Sequence, residues 1–212
     1  MTVIEELSFH EKDELDSWYD LSEKKSKAFL KKIVAFADEY PTLLAEYCQS
    51  LIPNDFSSLS LVYEALSEYS VNHNQFLFEE IKRIIELVKQ QKMDVELIDV
   101  LSENIEMEDI YSKTPSIYID IMSYLTNCLD SNNLELFNIQ ILDFIDWCLI
   151  DYDEDDEIEE SINWKNKLLL IANGDNLKLK LITRKILKNF SSISKLEPLS
   201  FKEKLSKIFI QN

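Results

Sequence analysis

The stretch NLELFNIQILDFIDWCLID, residues 133–151, has twelve apolar side chains that cover most of the circumference of a helix. Its polar positions form a narrow stripe through Glu135, Asn138, Asp143 and Asp146. A helix that is apolar around most of its circumference is covered by neighbours on several sides. We therefore expect residues 133–151 to form the central helix of the core, with Trp147 buried in it.

Glycine is nearly absent from the chain, with one residue in 212. Tight hairpin turns and loops that cradle phosphate groups depend on glycine, because it readily adopts positive φ. The composition therefore argues against all-β folds, Rossmann folds and P-loops. Apolar residues make up 46% of the chain and charged residues 29%, which is typical of a globular protein. We expect one domain over residues 1–212.

Helical periodicity recurs on both sides of the central helix. One apolar face, for example, runs through Leu77, Ile81, Ile84, Ile85 and Val88. Pro41 and Pro115 suit the first turns of helices, and Gly174 suits a left-handed residue that ends one. The predicted helices are 10–20, 23–38, 41–51, 56–69, 73–91, 94–105, 115–130, 133–151, 155–173, 176–191 and 200–210.

Short connections between these helices favour antiparallel neighbours. Pairing them gives hairpins of about 35 to 40 residues, within the size range of helical repeats. The hairpins lie near 23–51, 56–91, 94–130, 133–173 and 176–210. The predicted fold class is therefore all-α, built from irregular antiparallel helical hairpins. A HEAT-like α-solenoid and a compact helical bundle both fit this pattern.

The net charge of −18 is concentrated in the middle of the chain. Residues 93–163 contain 20 acidic residues and one basic residue, Lys113, whereas residues 164–212 carry a net charge of +8. A strongly acidic field repels nucleic acid and anionic membranes and attracts basic partners. We expect a basic protein partner, with no binding to nucleic acid or to membranes, and pairing of the basic C-terminal segment with the acidic middle.

The densest acidic run has eight carboxylates in ten residues. It consists of Asp151, Tyr152, Asp153, Glu154, Asp155, Asp156, Glu157, Ile158, Glu159 and Glu160. An EF-hand loop starting at Asp151 would place Asp156 where glycine is required and Ile162 where glutamate is required. Two interpretations remain: a solvated acidic turn that helps to start the next helix, and a surface that docks a partner.

A second acidic group supports the docking interpretation. Glu96, Asp99, Glu103 and Glu106 are spaced 3, 4 and 3 apart, so one continuous helix would carry them along one face. Like charges at this spacing cost about 0.2–0.5 kcal/mol per pair. Asp109 and Tyr111 extend this group toward the next predicted helix. Tyrosine and tryptophan amid charges are favoured as anchors of protein interfaces.

Residues for catalysis or metal binding do not form a recognisable pattern. His10 and His73 lack the spacing of helical zinc or di-iron sites. The three cysteines, Cys48, Cys128 and Cys148, lack CxxC spacing and suit reduced core positions in a cytoplasmic protein. We therefore expect no catalytic residues, no metal and no cofactor. The chain also has no run of 18 apolar residues and no apolar segment near its N-terminus.

In its acidity, low glycine content, size and helical pattern, the whole chain resembles the helical, HEAT-like immunity proteins of bacterial polymorphic toxin and contact-dependent inhibition systems. The ratio of 20 lysines to two arginines is typical of an AT-rich genome and agrees with a bacterial source. The resemblance implies a non-catalytic inhibitor that covers the active site of a basic, nuclease-type toxin domain encoded nearby.

Two other functions are compatible with the sequence. A helical-repeat scaffold or adaptor would bind another basic protein through the same acidic residues. A magnesium-dependent helical hydrolase would need paired carboxylates on facing helices. Pairs with suitable spacing are Glu103–Glu106, Glu106–Asp109 and Asp153–Asp156, but such pairs arise by chance in so acidic a chain.

Overall fold

The computed structural model describes residues 23–51, 56–130, 134–149, 159–190, 196, 198 and 199. Within these residues the chain forms ten α-helices and two short 3₁₀ turns, with no strand. The prediction of an all-α fold is confirmed. The choice between a HEAT-like α-solenoid and a compact bundle stays a prediction, as does the single domain over 1–212. The predicted helices 10–20 and 200–210 lie outside the described residues.

The helix bounds agree closely with the periodicity of the sequence. The helices are α1 (Glu23–Glu39), α2 (Pro41–Leu51), α3 (Phe56–Tyr69), α4 (Asn74–Lys89), α5 (Leu97–Asn104), α6 (Met107–Lys113), α7 (Pro115–Cys128), α8 (Glu135–Cys148), α9 (Glu159–Ala172) and α10 (Leu177–Ile186). The 3₁₀ turns are Val71–His73 and Leu187–Asn189. Pro41 and Pro115 begin α2 and α7, as expected for a residue without an amide hydrogen. The short helix α6 was not predicted, since 106–114 was expected to be a connection.

The helices lie in two rows. In one row α1, α3, α5, α8 and α10 contact each other in that order, and in the other α4, α7 and α9 do so. The α2 helix packs on α1 and α3, and α6 packs on α3, α7 and α8. The helices α8 and α9 both contact α7 and α10 and make little or no direct contact with each other, so the predicted hairpin 133–173 is held together through neighbouring helices.

The α8 helix is central, but it is not covered on every side. Phe144, Ile145 and Ile141 are fully buried against the neighbouring helices α5, α7 and α10. Leu136 and Trp147, in contrast, are 53% and 46% exposed. These two residues lie on one helical line with Gln140 and Asp143, and within the described residues this line is only partly covered by the neighbouring helices. The prediction that Trp147 is buried is therefore wrong.

A buried carboxylate joins α3 to α4. Glu80 is 4% exposed, and its Oε2 accepts a hydrogen bond of 3.1 Å from the Tyr63 hydroxyl. Arg83 donates from Nε to Oε1 at 2.8 Å and from Nη2 to Oε2 at 2.6 Å. This two-bond contact satisfies a charge whose burial would otherwise be costly. The surrounding burial raises the pKa of Tyr63, with Glu80 adding to the effect.

The end of α9 differs from the prediction for Gly174. The Gly174 amide donates to the Ile171 carbonyl at 3.1 Å. The last turn of the helix is therefore closed by a 3₁₀-type hydrogen bond between residues three apart. Gly174 does not adopt positive φ. In the described part of the chain the residue with positive φ is Gln91, at 56°, just after α4. There the Lys92 amide donates to the Leu87 carbonyl at 2.9 Å, as in a Schellman motif.

We predict that Gln91→Gly increases the free energy of unfolding by about 1 kcal/mol, because glycine adopts the left-handed conformation without the strain of a Cβ. Gln90→Gly is the matched control, since Gln90 has φ of −77°. It should lower stability by about 0.5–1 kcal/mol. Urea unfolding of both variants measures the difference. Equal effects of the two substitutions would contradict this explanation.

Candidate protein-docking surface

The predicted docking residues fall into three sets in the structure. Glu96, Asp99, Glu103, Glu106, Asp109 and Tyr111 lie within or beside the helices α5 and α6. Glu159 and Glu160 are the first two residues of α9, where carboxylates favour a helix N-terminus. Outside the described residues lie Asp151, Tyr152, Asp153, Glu154, Asp155, Asp156 and Glu157. The proposed role of this last set in docking stays a prediction.

The acids between 96 and 106 do not share one helical face, contrary to prediction. Glu96 precedes α5, and Glu106 begins α6 after a break. At the break Ile105 is extended and 1% exposed. Burial of Ile105 turns the chain, and the Glu106 amide then donates to Ser67 Oγ on α3 at 3.0 Å. Glu106 is therefore directed to a different group of acids from Asp99.

Asp99 belongs to a surface that joins α5 to α8. Gln140 Nε2 on α8 donates to Asp99 Oδ2 at 2.9 Å. Partial burial raises the pKa of Asp99, and the charges of Glu103, Asp143 and Glu96 raise it further. Partial burial, followed by the charge of Asp146, also raises the pKa of Asp143. These effects show that carboxylates from two helices lie close enough to repel each other.

We call this region the α5–α8 surface. Its members are Glu96, Asp99, Glu103, Leu136, Gln140, Asp143 and Trp147. Trp147 lies one turn after Asp143 on the partly covered line of α8, so a large exposed aromatic ring adjoins the carboxylates. Asp143 is not among the predicted docking residues, and Trp147, an aromatic near the predicted acidic patch, was expected in the core. A helical wheel that placed Leu136, Gln140, Asp143 and Trp147 on one line could have indicated the shared face.

A second acidic group joins α3 to α6. Partial burial raises the pKa of Glu64 and of Glu106, and the charge of Glu68 raises both further. Lys113 partly balances this group, because its Nζ lies 3.0 Å from Asp109 Oδ2 and donates to the Glu68 carbonyl at 2.7 Å. This group is therefore partly neutralised from within by Lys113, whereas the cations that act on Asp143 of the α5–α8 surface are Lys185 and Lys178 of α10.

Several aromatic residues near the acids belong to the core instead. Trp164 is 1% exposed, and its Nε1 donates to Ser123 Oγ at 3.0 Å. Tyr118 is equally buried, and its hydroxyl donates to the Cys148 carbonyl at 2.8 Å. Tyr111 is partly buried, and its ring meets that of Tyr118 with centroids 5.0 Å apart. Trp147 is thus the exposed aromatic that the structure adds to the acidic residues.

The basic C-terminal segment pairs with the acidic middle, as predicted. Lys185 Nζ lies 2.8 Å from Asp146 Oδ2, which joins α10 to α8. Arg184 is held differently, since its Nε donates to the Ala172 carbonyl at 3.1 Å and its Nη2 to Asn173 Oδ1 at 3.4 Å. These contacts give the basic segment a structural role. Lys185 joins α10 to α8, and Arg184 joins α10 to the end of α9.

The cysteines and the described histidine are buried. Cys48, Cys128 and Cys148 are free thiols, as predicted. Burial raises the pKa of Cys48 to about 12 and also raises those of Cys128 and Cys148, which disfavours the reactive thiolate. His73 lies at the start of α4, 3.0 Å from Asp38. Among the described residues, no three His, Cys, Asp or Glu side chains are placed to hold a metal ion.

Comparison of the chain with protein-family models, curated proteins and solved structures gives no match. Over the part of the chain that the structure describes, no helix is both long and apolar enough to cross a bilayer.

We predict that Asp99→Asn increases the free energy of unfolding at pH 7 and low salt by about 0.2–0.5 kcal/mol, discounted for solvent screening. The substitution removes a repelled charge, and the new amide oxygen can still accept from Gln140. Because folding raises the pKa of Asp99, the folded state binds a proton more readily than the unfolded state. The advantage of the variant should therefore decrease as the pH falls through the folded pKa.

Urea unfolding at several pH values, at low and high salt, tests this expectation. Asp120→Asn is the control, because Asp120 is exposed on α7 away from the α5–α8 surface. A gain from Asp99→Asn that is the same at pH 7 and at pH 3, or that does not change with salt, would contradict the electrostatic explanation.

Proposed function

We propose that the chain is a non-catalytic binding protein that docks the α5–α8 surface onto a basic protein. The observation that supports this proposal is the position of Trp147, which is 46% exposed and lies one helical turn from Asp143, a carboxylate that acts on Asp99 of α5. Exposed tryptophans at the centre of charged surfaces are common anchors of protein interfaces. No lysine or arginine lies between Lys113 and Lys165 in the sequence, so the acidic middle of the chain has little internal neutralisation.

The two parts of this surface would contribute differently to binding. The carboxylates accelerate encounter with a basic partner, because complementary charge can raise association rates to about 10⁸–10⁹ M⁻¹s⁻¹ at low salt. Trp147 contributes apolar area that slows dissociation once it is covered. Repulsion among Asp99, Asp143 and their neighbours would also be relieved when cations of the partner approach.

The partner that agrees best with these features is a basic, nuclease-type toxin domain. A nuclease attracts phosphate groups, so a dense carboxylate surface could occupy its substrate groove. An immunity protein must capture a lethal enzyme quickly, which favours electrostatic steering. The acidity, helical fold and resemblance to HEAT-like immunity proteins support this assignment, with the cognate toxin gene nearby and both proteins meeting in the cytoplasm. An adaptor would bind a basic protein without inhibiting it, so an activity assay of the partner distinguishes the two functions.

The proposal is tested by a pull-down from the source organism in which products of adjacent genes are identified first. A captured toxin domain should lose its activity at a one-to-one ratio with this chain. Capture of a basic protein whose activity is unaffected would favour the adaptor. Failure of every adjacent gene product to bind would contradict the immunity function.

With the partner in hand, we predict that Glu96→Lys/Glu103→Lys slows association by about tenfold or more at low salt. Both side chains are exposed, so the fold should tolerate the change. The matched control is Glu46→Lys/Asp120→Lys, which alters the net charge equally at exposed positions on α2 and α7. Stopped-flow measurement at several salt concentrations should show a flatter salt dependence for the first variant. Equal slowing by both variants would show that the net charge alone controls association and that the α5–α8 surface has no special role.

The acid run at 151–160, most of which lies outside the described residues, can be tested in the same way. Reversal of Asp153, Asp155, Asp156 and Glu159 to lysine should also slow association if the run takes part in docking. An unchanged association rate at low salt would exclude the run from the docking surface.

We also predict that Trp147→Ala accelerates dissociation by about tenfold, because truncation of an interface anchor typically costs more than 1 kcal/mol. Leu170→Ala is the control, since Leu170 is 75% exposed on α9 and lies outside the α5–α8 surface. Surface plasmon resonance gives both dissociation rates. If Trp147→Ala leaves dissociation unchanged, Trp147 is not an anchor.

A further inference from the structure

A groove between α8 and α10 has a different character from the acidic surface. It has a volume of about 480 Å³. Clefts of about 300–1,000 Å³ are typical of sites for small ligands. We call it the α8–α10 groove and define it by its lining, which comes from the second half of α8, from α10 and its 3₁₀ turn, and from Leu196 and Leu199.

The groove has an apolar part. Leu181 and Ile182 of α10 line it together with Leu196 and Leu199. Leu181 and Ile182 are only partly buried by the described residues. Four aliphatic side chains in one cleft favour an aliphatic ligand, because covering them removes apolar area from water.

The charged lining is unusual for so acidic a chain. Among the described lining residues, Lys178, Arg184, Lys185 and Lys188 contribute four cations, whereas Asp146 and Asp143, which also belongs to the α5–α8 surface, contribute two carboxylates. Lys185 is paired with Asp146 at 2.8 Å, and the guanidinium of Arg184 is bonded to the end of α9. The excess positive charge therefore comes from Lys178 and Lys188.

The two remaining lysines are not equivalent. Burial and Asp146 raise the pKa of Asp143, and Lys178, after Lys185, lies close enough to offset part of this rise. Lys188 lies about one turn beyond Lys185, after the last carboxylate that α8 contributes to the lining. Lys188 is exposed and makes no ion pair with the described residues. Among the described residues, the end of the groove at Lys188 is accordingly the place where an anion meets a cation with least opposition from carboxylates.

We propose that the α8–α10 groove binds a free long-chain carboxylate, with the aliphatic chain on the four apolar side chains and the carboxylate at Lys188. An aliphatic chain matches the four apolar side chains of the groove, and one negative charge matches its excess of cations. The net charge of −18 disfavours approach to an anionic bilayer, so the ligand is a dissolved monomer. This site does not depend on the docking function proposed for the α5–α8 surface.

Calorimetry with the full chain and dodecanoate, below the concentration at which dodecanoate forms micelles, tests the proposal. Saturable binding at one site is expected. Lys188→Gln should weaken it by about threefold to tenfold, since an exposed ion pair contributes modestly. Lys32→Gln, an exposed position on α1, is the control and should bind as the unaltered chain does. Leu181→Asn should weaken binding further, and its thermal unfolding shows whether the fold is intact.

Three results would overturn the proposal. One is the absence of saturable binding, as expected if other parts of the chain fill the groove. Another is dodecyltrimethylammonium binding as tightly as dodecanoate, which would indicate apolar adsorption without a role for Lys188. The third is an unchanged affinity in Lys188→Gln, which decides the question even if Leu181→Asn fails to fold. Binding to phosphatidylglycerol vesicles in place of monomeric dodecanoate would identify a membrane surface and would also contradict it.

Discussion

The packing of α8 against α5, α7 and α10 is the interaction on which the rest of the described structure depends. Through these contacts α8 joins the row of α1, α3, α5 and α10 to the row of α4, α7 and α9. Burial of one of its larger aliphatic or aromatic side chains stabilises the fold by about 1.5–3 kcal/mol. The same packing leaves one line of α8 only partly covered, so the helix that organises the core also carries the exposed Trp147.

Electrostatics in this protein is arranged by the contacts between helices. Asp99 and Asp143 are 44 positions apart in sequence, and Lys185 and Asp146 are 39 apart, yet each pair is brought together by packing onto α8. On one side of α8 this creates repulsion that a basic partner would relieve. On the other side the basic segment neutralises one carboxylate and leaves positive charge in a groove. The two surfaces of α8 therefore have opposite charge preferences and meet at Asp143, which belongs to both.

Sequence patterns predicted the helices well and their exposed faces less well. The 3.6-residue period located α4 and α8 to within a few residues, because it reports a property of each segment alone. The short α6 was missed, since seven residues between Glu106 and Thr114 give too little periodicity. The exposure of Trp147 and the separation of Glu106 from Asp99 could not be predicted, because they depend on which helices cover α8 and on the burial of Ile105. The acids of α5 were evident from sequence, whereas their neighbours Gln140 and Asp143 on α8 were not.

The two arginines lie at positions where one side chain binds two acceptor atoms at once. In a chain with 20 lysines, Arg83 and Arg184 are the arginines, and each uses two nitrogens of its planar guanidinium on two acceptor atoms. A lysine ammonium is a single point donor that cannot reproduce this fork. The composition bias toward lysine therefore does not extend to these two positions, because the shape of the contact requires the guanidinium group. Arginine here is a marker of two-point recognition, readable from the sequence before any charge is counted.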